Sequence, residues 1–175
     1  MGKGTNLLNI KCILGGLSDE IQIEDLLKYI PNGSVRLTNT SLDWSHLFDL
    51  ENLDNFEASI IINSNSSQGV QLALHRNNNN ENTYLVRVGA NTDSLKRVVS
   101  LKNNGVDEQY EISGSYAANT NMVLKIKREN GVITGTIDGT SKTFVNPPTS
   151  LRYIGLESWF NIKTINFSDF KIREL

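Results

Sequence analysis

Cysteine, proline, methionine and charge of one sign are all scarce in this sequence, and each shortage excludes something. One cysteine in 175 residues, Cys12, rules out an internal disulfide and any cysteine-built zinc cluster. A small, buried apolar role suits it best. No apolar run approaches the roughly 18 residues that a membrane helix needs, so the membrane is not an expected partner. Met1 to Gly16 is interrupted by Asn9 and Lys11 where a signal peptide stays apolar, so no signal peptide is expected and the chain is expected to begin here, soluble. Seventeen Lys and Arg against 19 Asp and Glu give a net charge of −2, without the basic block that drives counterion release on a phosphate backbone. Nucleic acid is therefore not an expected partner.

What the chain does contain is amide and hydroxyl: 22 Asn, 16 Ser and 12 Thr beside only 3 Pro. Asn tolerates the left-handed region and bonds its own backbone, so Asn clustered between apolar runs marks turns. Ile, Leu, Val and Phe make up 30% of the residues, enough for a packed core. The length suits a single domain over 1–175.

Alternation with period two recurs along the C-terminal two-thirds. Phe56, Ala58, Ile60 and Ile62 share one face, with Glu57, Ser59 and Asn63 opposite. Val70, Leu72 and Leu74 alternate with Gln71, Ala73 and His75. After the Asn77 to Asn80 run the pattern resumes as Tyr84, Val86 and Val88 against Leu85 and Arg87. Leu95 to Leu101 and Tyr110 to Ser113 read as strands. Leu124 and Ile126 precede Asn130-Gly131, a pair that supplies the two positive φ values of a type I′ hairpin, and Ile133 and Ile137 follow. Asp138-Gly139 offers another tight turn before Thr143 to Val145, and Pro147-Pro148 interrupts pairing. Leu151 to Trp159 and Ile162 to Ile172 close the chain. In the last, Ile165 and Phe167 have one parity and Phe170 and Ile172 the other, so a bulge near Ser168-Asp169 is expected to bring all four to the core.

The first third differs. Ile23, Leu26, Leu27 and Ile30 recur at spacings of three and four between Ser18-Asp19 and Pro31, which predicts a short helix. Residues 1–33 would then pack across one end of the domain or serve as an attachment segment. Strands resume at Ser34 to Asn39. About ten strands at near-ten-residue spacing predict an all-β antiparallel sandwich or barrel with one N-terminal helix, and a two-sheet β-sandwich fits better than a barrel because some strands are apolar on one face only.

A sandwich glycosidase needs two carboxyls a fixed distance apart, which on one strand means acids two or four positions apart. Leu151 to Trp159 carries only Glu157, and Ile162 to Ile172 only Asp169. Asp49, Glu51, Asp54 and Glu57 read as a solvated acidic turn. Neither His46 nor His75 has a serine or cysteine in a nucleophile context, so the chain is not expected to be an enzyme. No Asp-rich calcium loop is present, although Asp43 or Asp169 could join backbone carbonyls around a structural calcium ion; the alternative for Asp169 is a side chain bonding backbone N–H groups at the bulge. Saccharide sites combine an aromatic face with amide, acid and Arg groups. If Ile154 and Leu156 point inward, then Tyr153, Glu157 and Trp159 point outward, as do Gln71, His75 and Arg87. Should these strands share a sheet, its outer face would offer Gln71, His75, Arg87, Glu157 and Trp159 to a hydroxyl-rich ligand. Trp44, with His46 and Phe48, is a second aromatic cluster, either a ligand contact or a plug over a sandwich end.

The order of these segments, from Phe56–Ile62 through Asn82-Thr83-Tyr84, Leu124-Lys125-Ile126, Asn130-Gly131 and Ile137-Asp138-Gly139 to Ile154-Gly155-Leu156-Glu157-Ser158-Trp159 and Phe167-Ser168-Asp169-Phe170-Lys171-Ile172, resembles concanavalin A-like jelly-roll modules. With the opening Asn6-Leu7-Leu8, it looks most like the carbohydrate-binding modules in tail and baseplate proteins of phages that infect Gram-positive bacteria, lactococcal ones in particular. The resemblance covers about residues 35–175. It implies noncatalytic recognition of bacterial cell-wall polysaccharide, a place in the virion and contacts with other tail or baseplate proteins. The alternatives are a structural assembly domain of a tail and, less favoured, a glucanase-type hydrolase, whose paired acids this sequence lacks.

Overall fold

The computed structural model describes residues 26–37, 42–51, 53–65, 69–77, 84–90, 96–148, 150–159 and 163–175. Every regular element among them is a strand: β1 Leu26–Leu37, β2 Leu42–Asp49, β3 Phe56–Ser64, β4 Val70–His75, β5 Leu85–Ala90, β6 Lys96–Asn103, β7 Val106–Ser115, β8 Asn121–Glu129, β9 Val132–Ile137, β10 Thr140–Phe144, β11 Tyr153–Trp159 and β12 Lys163–Glu174. They form two six-stranded antiparallel sheets, a back sheet ordered β1-β12-β3-β8-β9-β10 and a front sheet ordered β2-β11-β4-β5-β6-β7. The expected two-layer sandwich is present, with one continuous apolar core between its layers.

Period-two patterning places that core. Along β3 burial alternates residue by residue, with Phe56, Ala58, Ile60 and Ile62 sealed and Glu57, Ser59 and Ile61 partly exposed. Leu124 and Ile126 on β8 and Ile133 and Ile137 on β9 extend the same face. The turns follow from residues that tolerate positive φ. Asn130-Gly131 has φ values of 50° and 75°, Asp138-Gly139 47° and 85°, and Asn104-Gly105 49° and 80°, each joining adjacent antiparallel strands.

The bulge sits where the parity change demands it. The pairing of β12 with β3 shifts register between Ser168 and Lys171, and Asp169 takes a φ of 56°. One extra residue in the left-handed region turns the strand over, so Ile165, Phe167, Phe170 and Ile172 all enter the core.

The predicted helix is a correction. From Leu26 onward the described part of that segment is strand β1, paired with β12 from Leu26↔Arg173 to Leu37↔Lys163; the rest of the predicted helix lies outside the described residues, as does Cys12. Local spacing of Leu26, Leu27 and Ile30 favoured a helix, but the open edge of β12 supplies a ladder of backbone hydrogen bonds that a local pattern cannot reveal. Ile30 and Val35 then pack against the core opposite Phe170 and Ile165. Pro31, which has no N–H, is tolerated because β1 is an edge strand. The second difference is β2: alternation assigns no element between Asn39 and Phe56, and Leu42–Asp49 is an edge strand of the other sheet.

Deleting Asp169 alone removes the extra residue and leaves Ile165, Phe167, Phe170 and Ile172 on one uninterrupted parity, so a circular-dichroism melt of that variant is expected to keep its cooperative transition. Asp169→Gly, which adopts positive φ without strain, should unfold within about 1 kcal/mol of the parent.

Candidate functional site

Strands β11, β4 and β5 are neighbours in the front sheet, so the residues that alternation sends outward do share one face. Glu157 pairs across from Gln71, Tyr153 from His75, and Ala73 from Arg87. The outer face of a two-layer sandwich ordinarily carries solvated polar groups. Here Glu157 and His75 are fully buried, and Gln71 and Arg87 are only 4% and 5% exposed.

The Glu157 carboxylate organises the group. Its Oε2 lies 2.8 Å from His75 Nε2, and Arg87 Nε donates to its Oε1 at 2.5 Å. Small residues make this possible: Gly155 and Ala73, paired with each other between the Tyr153–His75 and Glu157–Gln71 rows, leave a trough in which long side chains can lie flat. Burial alone would raise the Glu157 pKa. The Arg87 charge and the hydrogen bonds from His75 and Arg87 overcome that effect and hold the carboxyl below its ordinary range. A carboxylate held ionised in this way is a poor proton donor near neutral pH. It is also the only buried carboxylate among the described residues.

Trp44 completes the trough from the edge strand. It stands opposite Glu157 on the same face, with its ring centroid 4.2 Å from that of His75 at an interplanar angle of 49°. The missing side chain of Gly155 gives it room, since a Cβ there would lie 2.9 Å from Trp44 Cη2 and nearer still to the Ser45 carbonyl oxygen. The structure places Trp44 on the front face of the sheet rather than over a sandwich end. Half-buried, it lies across the front face, with β2 bulged at Leu47 so that Leu47 and Phe48 turn to the core. Trp159 pairs through its backbone with Leu42, but its side chain, like that of Asp43, lies outside the described residues.

Sequence reasoning missed how the rim is braced. Tyr153 is flanked by His46, edge-on with centroids 5.5 Å apart, and by the Arg152 guanidinium 5.1 Å from its ring centroid. Arg152 in turn grips Asp49 through two bonds of 2.5 and 2.6 Å, and this hydrogen bonding, more than any other cause, lowers the Asp49 pKa. These partners are 103 residues apart, and nothing local in sequence announces the pair. Gly155 did carry a signal, because an isolated glycine inside a strand marks close approach by another group.

At the far side of the molecule, Asp169 pairs with Lys171 Nζ at 3.0 Å. Among the described residues no three His, Cys, Asp or Glu side chains gather into a ligand set.

No protein-family profile and no curated protein matches the sequence. Solved structures do match. The carbohydrate-binding module CBM66 from Bacillus subtilis superposes with a TM-score of 0.61 at 14% identity, covering 84% of this chain and 94% of that one. A functionally unknown protein from Saccharomyces cerevisiae gives 0.60 at 13% identity, with coverages of 87% and 92%. A tail fiber protein from an Escherichia coli phage gives 0.55 at 13% identity; 86% of this chain matches 22% of that much longer one. At these identities the likeness establishes the fold, a jelly-roll sandwich that carbohydrate-binding modules use.

Glu157→Gln would leave Arg87 buried beside a neutral amide, and the expected cost is about 3 kcal/mol at pH 7 in a urea titration. Because the folded pKa of Glu157 lies below its ordinary value of 4.5, the stabilisation is complete above that value and lost as pH falls through the lower folded one. The difference between parent and variant should therefore be largest at neutral pH and shrink below about pH 4.

Proposed function

We propose that this chain is a noncatalytic carbohydrate-binding module that recognises polysaccharide on a bacterial cell surface, and that it serves a phage tail or baseplate as an accessory adhesin among other tail proteins. The observation that carries the proposal is Trp44, a half-buried indole laid over Gly155 beside a fixed array of polar side chains. An aromatic plane takes the apolar face of a sugar ring, and amide, carboxylate and guanidinium groups behind it suit hydroxyls. Tyr153 and the exposed His46 extend the accessible rim, while Glu157, Arg87 and His75 lie beneath as the framework that fixes it. The Arg87 and His75 contacts that hold Glu157 ionised, and so unfit as a proton donor, support binding over hydrolysis. The fold shared with CBM66 and with part of a phage tail fiber supports the saccharide and virion aspects respectively. One such site binds weakly, so adhesion would come from many copies on one particle.

Fluorescently labelled protein incubated with lactococcal and other Gram-positive cells tests this. Labelling of cells is expected, and Trp44→Ala, folded by circular dichroism, should weaken it at least tenfold, as loss of a central tryptophan does. Dark cells with the parent protein would favour a purely architectural role. Full binding by Trp44→Ala would move the site off this face.

A further inference from the structure

The trough contains one polar atom whose chemistry is left open. Gln71 lies in it with its Oε1 buried and, among the described residues, without a hydrogen-bond partner. Its neighbours across the ladder are Glu157 on one side and Gly89 on the other. Gly89 has a φ of 153°, and a Cβ there would stand 2.8 Å from Gln71 Cα and 3.2 Å from Gln71 Cγ, so the Gln71 stem occupies the space that any side chain at 89 would need. The amide is thus held in place by backbone geometry.

Resting on the saccharide-binding function proposed above, we infer that Gln71 Oε1 is the acceptor for a hydroxyl of the ligand, and that the ligand is an uncharged saccharide. An acceptor is satisfied only by a donor, and buried polar groups in native proteins are nearly always satisfied. A charged sugar also carries hydroxyls, but its carboxylate or phosphate would add acceptors beside the ionised Glu157, whose own charge is already matched by Arg87. An ammonium could donate, but it would be desolvated in the same trough as the Arg87 guanidinium. A neutral hydroxyl donates without either conflict. The buried charges then act by fixing the Trp44 platform through His75, and the sugar meets the platform and the Gln71 oxygen.

Gln71→Met tests this, because it keeps the shape of the side chain and removes only the amide. Binding is measured by calorimetry against neutral glucan, galactan and mannan oligosaccharides and against uronate-bearing and deacetylated amino-sugar oligosaccharides of matched length, with parent and Trp44→Ala alongside. The parent should bind within the neutral set, and Gln71→Met should lose at least tenfold there while its unfolding temperature without ligand does not fall, since the oxygen it lacks had no partner to lose. A parent that prefers a charged set, a Gln71→Met that binds neutral sugar like the parent, or one that unfolds at lower temperature would each overturn the inference while leaving saccharide binding in place. Binding to none of the sets would overturn both.

Discussion

A carboxylate buried on the outside of a β-sandwich is the constraint around which the rest of this molecule is arranged. Glu157 belongs to a face that should be solvated, yet it is fully enclosed and held by Arg87 and His75 from two other strands. Burying an ion costs several kcal/mol unless its charge and lone pairs are matched, so strands β4, β5 and β11 are locked in one register by the demands of a single side chain. A slip of one residue in any of them would leave a charge buried and alone. The contact with Trp44 follows, since the same network fixes the imidazole on which the indole leans.

The architecture behind that face is ordinary by comparison, and its chemistry is divided accordingly. The core between the sheets is apolar and continuous, and the tight turns use Asn, Asp and Gly where positive φ is required. On the back sheet the outer face is a sparse ladder of Thr–Thr and Thr–Ser contacts and paired surface charges, such as Thr134 with Thr143 at 2.9 Å and Lys125 with Glu57 at 3.2 Å. Exposed pairs of that kind contribute little to stability. The front face instead combines small residues, buried charge and a half-covered aromatic ring. That contrast between two faces of one sandwich is the basis for proposing the front as the functional side.

Much of this was legible in the sequence because a strand's side-chain period is two and does not depend on distant partners. Phe56 to Ile62, Leu124 to Ile137 and the parity change at Ser168-Asp169 were enough to place the core, the hairpins and the bulge. The same parity put Gln71, His75, Arg87 and Glu157 on one face. It could not show that they are buried, because burial depends on how Gly155, Ala73 and Gly89 hollow the sheet and on which strands lie side by side. Edge strands were the least legible. β1 looked helical because its pairing partner lies more than a hundred residues away, and β2 gave no strand signal because Trp44, His46 and Phe48 straddle a bulge at Leu47 that breaks the alternation.

A nitrogen-15 heteronuclear NMR titration of the intact chain with purified host cell-wall polysaccharide tests most directly whether the front face is the recognition surface. Shifts centred on the Trp44 indole N–H and the backbone amides of β2, β11 and β4 are the result expected. Shifts confined to the back-sheet strands β3, β8 and β9 or to the Asn130-Gly131 turn, with the Trp44 resonance unmoved, would contradict it.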